Sequence, residues 1–334
     1  MKICQYFHPQ LGNLEPRLGI LWEDKIIDPN LCSLLDYQRE GYFNCLERAN
    51  YKMPTRLSEI LQLSDQPIEV LEEGLGLYLF FEKIGLLTTQ NGLDLYVEYS
   101  SSLLDKPIDK INTYRDFYAH EKHVQTGFKK RGEPVPEAWF EMPVYYKGNT
   151  NSFYGTNDPI IWPSYSEKID YELELGCILA RDGKNIKLEH ANDYIFGFTI
   201  LNDVSARDIQ KKEMSVRLGP SKGKDFCSII GPVIVTYDEF DFKEPDLNMK
   251  AYVNDKLWSD GQSGDSHFTF NEMIHFASQE EFVRSTDLLG SGTVGTGCGL
   301  ELDKWIQSGD KVRLEIESIG SIENTVTKKV TQYG

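Results

Sequence analysis

The sequence lacks any long apolar run, any closely spaced cysteine pair and any excess of positive charge. No stretch approaches the roughly 20 apolar residues that span a bilayer, and the opening MKICQYFHPQ has no apolar core typical of a signal peptide, so we expect a soluble, cytoplasmic protein. The six cysteines form no CxxC pair, which argues against a disulfide scaffold and a zinc knuckle. A net charge of −17 argues against nucleic acid and anionic membranes as partners and favours small molecules.

The chain is long enough for one large and one smaller domain, since it has 334 residues of ordinary globular composition. Strand-like residues 17–27 and helical patterns at 57–63 and 70–81 come first. A polar, proline-containing stretch at 100–112 then precedes a region rich in aromatic residues, histidine and carboxylate. We therefore expect domains at residues 1–105 and 106–334.

The second part is predicted to be mainly β with a few helices, an α+β pattern without regular βαβ alternation. The expected strands lie at 143–147, 169–180, 195–201, 229–236, 249–253 and 311–318, and the expected helices at 205–214 and 270–279.

Two glutamates stand two residues apart in the strand predicted at 169–180. The period of two places Glu172 and Glu174 on one face of that strand. Like charges this close repel, so in a partly buried site one carboxylate would take up a proton unless a hard dication lay between them. The alternative is a solvated strand face, and the alternation alone does not decide. Asp203, at the end of the apolar run 194–201, favours the metal site.

A helix start follows this aspartate. Ser205 and Asp208 are spaced as in a capping box. A helix beginning there places Arg207 and Gln210 on one face, where both could reach the same ligand. The alternative is a surface arginine paired with Glu213 or Asp208.

Two glycine-containing loops come later in the chain. Residues 218–226, LGPSKGKDF, include Lys224 but form no Walker A motif, because the spacing differs and Asp225 replaces the required Ser or Thr. Residues 290–295, GSGTVG, match GxGxxG but lie outside any βαβ unit, which argues against a dinucleotide site. We interpret this loop as a close backbone approach beside a ligand, with Thr293 as a hydrogen-bond donor.

Residues 115–123, RDFYAHEKH, contain two histidines, two acids and a tyrosine. The histidines are one residue too close for the HExxH zinc motif. His123 or His120 could activate water if a carboxylate fixed its tautomer, and Asp116 could orient it or bind metal. A surface helix explains the segment equally well.

Together these segments resemble the fumarylacetoacetate hydrolase family. The matching segments are DFYAHEKH (116–123), MPVYYKG (142–148), YELELG (171–176), FGFTILNDVSARDIQKKE (196–213), LGPSKGKDF (218–226) and GSGTVG (290–295). The resemblance covers roughly residues 105–334 and favours the fumarylacetoacetase branch. It implies a small β-rich N-terminal domain, a mixed β-roll or distorted β-barrel catalytic domain, and a homodimer.

The resemblance also implies a set of site residues. The metal ligands would be Asp116, Glu172, Glu174 and Asp203, holding Mg²⁺ or Ca²⁺, with Mn²⁺ also suited to oxygen ligands. His123, oriented by Glu301, would activate water. The residues stabilising the oxyanion would be Arg207, Gln210 and Lys224, and those contacting substrate would be Tyr118, Tyr146 and Thr293.

The implied reaction is hydrolysis of a carbon–carbon bond in a 1,3-diketo acid, such as fumarylacetoacetate or an acylpyruvate-like compound. The alternative within the family is a lyase, decarboxylase or tautomerase acting on a 2-oxo acid. A non-catalytic binding protein and an NAD-dependent oxidoreductase are weaker alternatives. The segment NTNSFYG after PVYYKG is less basic than the family pattern, so the substrate carboxylate would have to be met by Lys129, Lys130 or Arg131.

Overall fold

The computed structural model describes residues 1–12 and 15–328, so the last six residues of the predicted second domain lie outside it. The α-helices, in chain order, are α1 (Pro29–Arg39), α2 (Cys45–Lys52), α3 (Leu57–Leu63), α4 (Pro67–Lys83), α5 (Glu121–Arg131), α6 (Ala138–Glu141), α7 (Arg207–Ser215), α8 (Phe270–Ala277) and α9 (Gly299–Leu302). Short 3₁₀ helices cover Pro9–Leu11, Ser101–Leu103, Leu188–Tyr194, Tyr237–Phe240 and Ser263–Asp265. None of the helices in these described residues is long and apolar enough to cross a membrane.

The strands, in chain order, are β1 (Lys2–Tyr6), β2 (Arg17–Trp22), β3 (Lys25–Ile27), β4 (Tyr96–Glu98), β5 (Tyr114–Phe117), β6 (Tyr145–Gly148), β7 (Phe153–Tyr154), β8 (Ile160–Trp162), β9 (Ile169–Asp170), β10 (Leu173–Leu179), β11 (Gly183–Lys184), β12 (Ile195–Asp203), β13 (Ser205–Ala206), β14 (Ser228–Thr236), β15 (Asn248–Val253), β16 (Lys256–Gln262), β17 (Phe282–Val283), β18 (Leu288–Gly290), β19 (Lys311–Ile316) and β20 (Gly320–Lys328). The mainly β, α+β class expected from the sequence is confirmed, because these strands dominate the fold.

One eleven-stranded sheet runs through both parts of the chain. Its order is β4-β3-β2-β1-β14-β12-β10-β18-β5-β6, with β7 paired to β14. A second sheet has the order β16-β15-β19-β20-β8. Within the described ranges the large sheet does not close into a barrel. Since β1 pairs directly with β14, a division near residue 105 stays a prediction.

The central strands of the large sheet are buried on both faces. Leu175 and Cys177 of β10 join a core that contains Met249 and Leu314 of the second sheet. Ile178, on the opposite face of β10, joins a second core with the side chains of α1 and α4. A polar side chain in the middle of this sheet therefore cannot reach bulk water without leaving its strand.

Most predicted elements of the second part are observed. The helix expected at 270–279 is α8, whose N-cap Thr269 forms a capping box with Glu272. The predicted strands at 195–201 and 229–236 are β12 and β14, each within two residues of the expected bounds. The expected β-rich N-terminal domain contains four strands, and α1 to α4 pack beside them.

The single strand expected at 169–180 is wrong in one respect. Two strands, β9 and β10, replace it, and Glu172 lies between them. Its backbone forms an isolated bridge with Cys298, and its N–H donates to the Asn202 side chain at 3.0 Å. A side-chain acceptor therefore takes over the hydrogen bond that a neighbouring strand would otherwise supply.

Candidate active site

Four carboxylates meet in the interior of the large sheet. Asp116 lies on β5, Glu174 on β10 and Asp203 at the end of β12, and Glu172 comes from the break before β10. One oxygen of each lies within 4.8 Å of the other three. The pairing of β5 with β18, β18 with β10, and β10 with β12 brings residues distant in the sequence to this point.

The alternative of a solvated strand face is excluded by burial. Glu174 and Asp203 are 0% exposed, and Asp116 and Glu172 are 5% exposed. A carboxylate deprived of water strongly prefers a counter-charge or a proton.

The negative charge of two of these carboxylates, Asp116 and Glu174, is not balanced by nearby positive side chains. Burial, followed by repulsion from Asp203, raises the pKa of Asp116 well above its ordinary range. Burial, followed by repulsion from Asp116, does the same to the pKa of Glu174. Asp116 Oδ1 and Glu174 Oε2 are buried and have no hydrogen-bond partner in the described part of the chain. Unpaired carboxylate oxygens that converge on one point are the donor set of a hard divalent cation, so the residues present fit such an ion.

Lys224 compensates the other two carboxylates. Its ammonium donates to both Glu172 and Asp203. Burial would raise the pKa of Glu172, but Lys224 and then Arg207 hold that pKa below its ordinary value.

The loop that carries Lys224 is fixed from both sides. Glu213 accepts the backbone N–H groups of Ser221, Lys222 and Gly223 at 2.7–3.1 Å. A Cβ on Gly223 would come within 2.8 Å of the Gln210 Cα, so only glycine lets the loop approach α7 this closely. The sequence LGPSKGKDF therefore positions a buried lysine, whereas a loop lysine is more often solvated.

Arg207 serves the same acidic cluster. Its guanidinium donates to Asp170 at 2.8 and 2.9 Å and to Gln210 Oε1 at 3.1 Å, and it lies 2.8 Å from Glu172. The alternative ion pair between Arg207 and Glu213 is wrong in this structure, because Glu213 accepts the backbone N–H groups of the loop that carries Lys224. In the described contacts Gln210 accepts from Arg207, and Arg207 in turn binds Asp170 and Glu172.

The predicted capping box at Ser205 is also wrong. Helix α7 begins at Arg207 after the N-cap Ala206, and no side chain caps it. Ser205 donates to the Asp203 carbonyl at 3.0 Å, and Asp208 accepts from Ser166 Oγ at 2.6 Å. Residues Ser205–Ala206 form β13 instead, so pairing with β9 replaces the expected cap.

The positively charged side chains of Lys224 and Arg207 thus lie beside five buried carboxylates. The fifth is Asp170, which joins the four already named. Asp170 was not among the predicted site residues, although it precedes Glu172 and Glu174 in the same period of two. It is 0% exposed and accepts the N–H groups of Gly299 and Leu300 as well as Arg207. Asp170 orients Arg207 and the start of α9 and is not among the four converging oxygens.

The GSGTVG loop leaves no space for a side chain beside the cluster. A Cβ on Gly290 would lie 2.9 Å from Glu174 Oε2 and still closer to Asp116 Oδ1. Gly292 has a φ of 78°, and its backbone approaches the Phe117 carbonyl. Thr293 Oγ1 donates to Glu174 Oε1 at 3.3 Å. The interpretation as a close backbone approach agrees with these contacts.

His123 and Glu301 form a hydrogen-bonded pair beside this cluster. His123 Nδ1 lies 2.6 Å from Glu301 Oε1, and the Thr296 N–H donates to Glu301 Oε2 at 3.1 Å. His123 is 7% exposed. A carboxylate at Nδ1 holds the proton on that nitrogen and leaves Nε2 as an acceptor.

The other histidine of HEKH differs from His123. His120 is 2% exposed, and neither ring nitrogen has a hydrogen-bond partner within residues 1–12 and 15–328. Burial, and next the neighbouring His123, lower its pKa to about 4. His120 is therefore a neutral packing residue in this structure.

The tyrosines predicted to contact substrate lie at two sides of the site. Tyr146 Oη donates to Asp203 at 2.6 Å. Tyr118 packs edge-on against the His123 ring at 5.3 Å between centroids. Burial raises the pKa of Tyr118 to about 12, against the opposing effect of Arg131. Tyr118 Oη and Arg131 Nη1 both border Gly127, whereas Lys130 pairs with Asp303 at 2.6 Å.

Comparison with known proteins identifies the family. Residues 112–327 match the family model described as fumarylacetoacetate (FAA) hydrolase C-terminal. The chain belongs to the fumarylacetoacetate hydrolase family. It is 34% identical to an oxaloacetate tautomerase of Bacillus subtilis over 191 residues, which are 56% of this chain and 62% of the relative. The aligned part therefore spans less than two thirds of that relative.

Solved structures of this family have the same fold. The fumarylacetoacetate hydrolase of Exiguobacterium antarcticum superposes with a TM-score of 0.67 and 21% identity, covering 98% of this chain and 100% of the other. The maleylpyruvate hydrolase of Sphingobium sp. SYK-6, solved with manganese(II) ion and pyruvate, gives a TM-score of 0.66 and 19% identity over 98% of this chain and 99% of the other.

Proposed function

We propose that the protein hydrolyses a carbon–carbon bond in a 1,3-diketo acid, either fumarylacetoacetate or an acylpyruvate-like relative. The observation that carries the proposal is the His123–Glu301 pair, whose hydrogen-bonded atoms are 2.6 Å apart. It lies beside the buried carboxylate quartet, which consists of Asp116, Glu172, Glu174 and Asp203 and includes oxygens without a hydrogen-bond partner in the described chain. A water-activating base next to a cation site is the combination that this hydrolysis requires.

The cation would be held by Asp116, Glu172, Glu174 and Asp203. A divalent ion bound there would polarise the carbonyl under attack and stabilise the enolate that leaves as carbon. The manganese in the Sphingobium complex supports a divalent ion of this kind, in addition to the Mg²⁺ or Ca²⁺ expected from oxygen ligands.

His123 would take a proton from water at Nε2, since Glu301 holds the proton on Nδ1. The imidazolium formed would be stabilised by the Glu301 carboxylate and would later return the proton to the carbon leaving group. Lys224, whose ammonium is buried between Glu172 and Asp203, would donate to the oxyanion once substrate oxygens displace part of that contact. Arg207 and Gln210 would act on the same oxyanion or hold Glu172 in place.

Arg131 would bind the carboxylate at the far end of the substrate. It borders Gly127 together with Tyr118 Oη, and Tyr118 contacts the His123 ring. Lys130 is paired with Asp303, which makes it a weaker candidate. A guanidinium beside a phenol is well suited to bidentate carboxylate binding. Tyr146 and Thr293 would complete the substrate contacts near the cation.

The test is a panel of 1,3-diketo acids with added Mg²⁺ or Mn²⁺, followed by loss of diketone absorbance and by product analysis. Hydrolysis yields two fragments, one of them a carboxylic acid. The His123→Ala variant is expected to lose turnover by about 100-fold or more, the size of a general-base contribution, while still binding metal. His190→Ala, which changes an exposed histidine on a 3₁₀ helix, is the matched control. Undiminished cleavage by the His123→Ala variant would rule out this mechanism.

Tautomerisation of a 2-oxo acid is the second candidate. The relative from Bacillus subtilis, which is named an oxaloacetate tautomerase, favours it. A tautomerase moves a proton between carbon and oxygen and needs no water attack on a carbonyl. Conversion of enol to keto oxaloacetate without fragments from any diketo acid would therefore select the tautomerase over the hydrolase.

A further inference from the structure

A second cluster of metal-ligating side chains lies beside the carboxylate quartet and shares no residue with it. One ring nitrogen of His123, the Cys298 thiol and one Glu301 oxygen lie within 4.8 Å of one another. The thiol contacts Glu301 Oε1 at 3.7 Å, and Cys298 is 0% exposed. The proposed hydrolysis uses His123 and Glu301 but gives the cysteine no role.

We propose that His123, Cys298 and Glu301 form a site for a thiophilic divalent cation such as Zn²⁺, which would block the water-activating pair. A thiolate, an imidazole and a carboxylate are ligands that zinc accepts with one position left open, whereas the quartet offers only oxygens and suits harder ions. The two neighbouring sites would therefore select different metals by ligand type.

The three ligand atoms already lie within 4.8 Å of one another, so coordination would change each separation by at most about 1.3 Å. Tetrahedral zinc, with bonds of about 2.0–2.3 Å, places its nitrogen and oxygen ligands about 3.3 Å apart and its sulfur and oxygen ligands about 3.5 Å apart. Coordination through Nδ1 would widen the present 2.6 Å contact with Glu301 and would leave the 3.7 Å contact of the thiol nearly unchanged. The Thr296 N–H, bound to the other Glu301 oxygen at 3.1 Å, would keep the carboxylate oriented.

Metal binding at this site would displace protons from its ligands. Burial raises the pKa of the Cys298 thiol, so the sulfur carries a proton when no metal is bound. The cation would displace that proton to solvent as the metal–sulfur bond forms, and His123 would bind through Nδ1 as a neutral imidazole whose one proton moves to Nε2. His123 would then no longer receive a proton from water.

The direct test uses cadmium as a spectroscopic probe. Cd²⁺ is added to the full-length protein with saturating Mg²⁺ in the carboxylate quartet, and thiolate-to-metal absorption in the near ultraviolet is recorded. One equivalent is expected to produce the absorption, which an all-oxygen site cannot give. Cys298→Ser should abolish it, and Cys32→Ser, which alters a buried cysteine on α1, should retain it. No absorption in the wild type, or an unchanged absorption in Cys298→Ser, would overturn the proposal.

The kinetic test rests on the proposed function. Zn²⁺ should inhibit the Mg²⁺-loaded enzyme, and Cys298→Ser should raise the inhibitory concentration about 100-fold, since losing even an outer-shell partner costs a metal site about 10–100-fold in affinity. Equal inhibition of both proteins would mean that zinc acts at the quartet, and would refute the inhibitory role. If the thiolate absorption appears but no diketo acid is cleaved, the metal site stands and the proposed hydrolysis fails.

Discussion

Replacing Glu174 with glutamine should stabilise the metal-free protein and should remove most of the extra stability that a bound metal gives. Glu174 is 0% exposed, and its Oε2 has no partner in the described chain. The substitution keeps the size of the side chain and removes only its charge. In the metal-free protein the neutral amide should relieve repulsion, whereas in the metal-bound protein it removes a charged ligand.

The magnitudes follow from the distance between the carboxylates. The ligand oxygens lie no more than 4.8 Å apart, and two unit charges at that limit repel by about 3.5 kcal/mol at an effective dielectric constant of about 20. Protonation already relieves part of this, so the metal-free Glu174→Gln variant should gain about 1–3 kcal/mol. An ion at about 100 times its Kd stabilises the wild type by about 2.7 kcal/mol, and a 100-fold loss of affinity would reduce that to about 0.4 kcal/mol.

Thermal unfolding in EDTA and in Mn²⁺ measures both effects. At about 1.4 °C per kcal/mol for a chain of 334 residues, Mn²⁺ should raise the Tm of the wild type by about 4 °C and that of Glu174→Gln by about 0.6 °C. The variant should have the higher Tm in EDTA. Glu98→Gln, which alters an exposed glutamate on β4, should behave as the wild type does. A variant that is destabilised in EDTA yet keeps the full shift in Mn²⁺ would refute a cation site at this quartet.

Two further changes test groups outside the quartet. Burial raises the pKa of Glu244 from 4.5 to about 7, so its contribution to stability is present below the unfolded value of 4.5 and is lost as the pH rises through 7. The Glu244→Gln variant can still accept the Phe270 N–H. Between pH 5 and pH 8 its free energy of unfolding in urea should therefore rise on the order of 2 kcal/mol relative to that of the wild type. Parallel pH dependence of the two free energies would contradict the assignment. Arg131→Met should raise the KM for a diketo acid about 10-fold or more with little change in kcat, while Lys129→Met should change neither; equal effects of the two variants would remove Arg131 from the substrate contacts.

Local patterns in the sequence predicted the strands of the site well. The apolar run before Asp203 and the alternation around Glu174 both belong to strands buried on two faces. Strands of this kind can be predicted from the local sequence, without knowledge of the tertiary structure. The same alternation did not reveal the break at Glu172. That break depends on Asn202 and Cys298, whose contacts with residue 172 come from distant parts of the chain.

Contacts between side chains far apart in the sequence could not be predicted from local residue patterns alone. His123 and Glu301 lie 178 residues apart and meet only because α5 and α9 are neighbours in the fold. The resemblance to the family supplied that pair, while Cys298 was missed because nothing local marks it as part of a site. Asp170 does share the period of two with Glu172 and Glu174, but its contacts with Arg207, Gly299 and Leu300 depend on the fold. The predicted cap at Ser205 failed for a related reason, because a short pairing of β13 with β9 competed with local capping.

The closeness of the backbone to the quartet explains why no further side chain balances the charge of Asp116 and Glu174. Lys224 and Arg207 neutralise one side of the cluster, at Glu172 and Asp203. On the other side Gly290 lies so near Asp116 and Glu174 that even a methyl group would collide with their oxygens. No lysine or arginine can enter there without moving β18, and the double burial of the sheet keeps bulk water away. The charge left on Asp116 and Glu174 can then be met only by protons or by a small cation, so the glycine that excludes side chains would also leave room for the proposed metal.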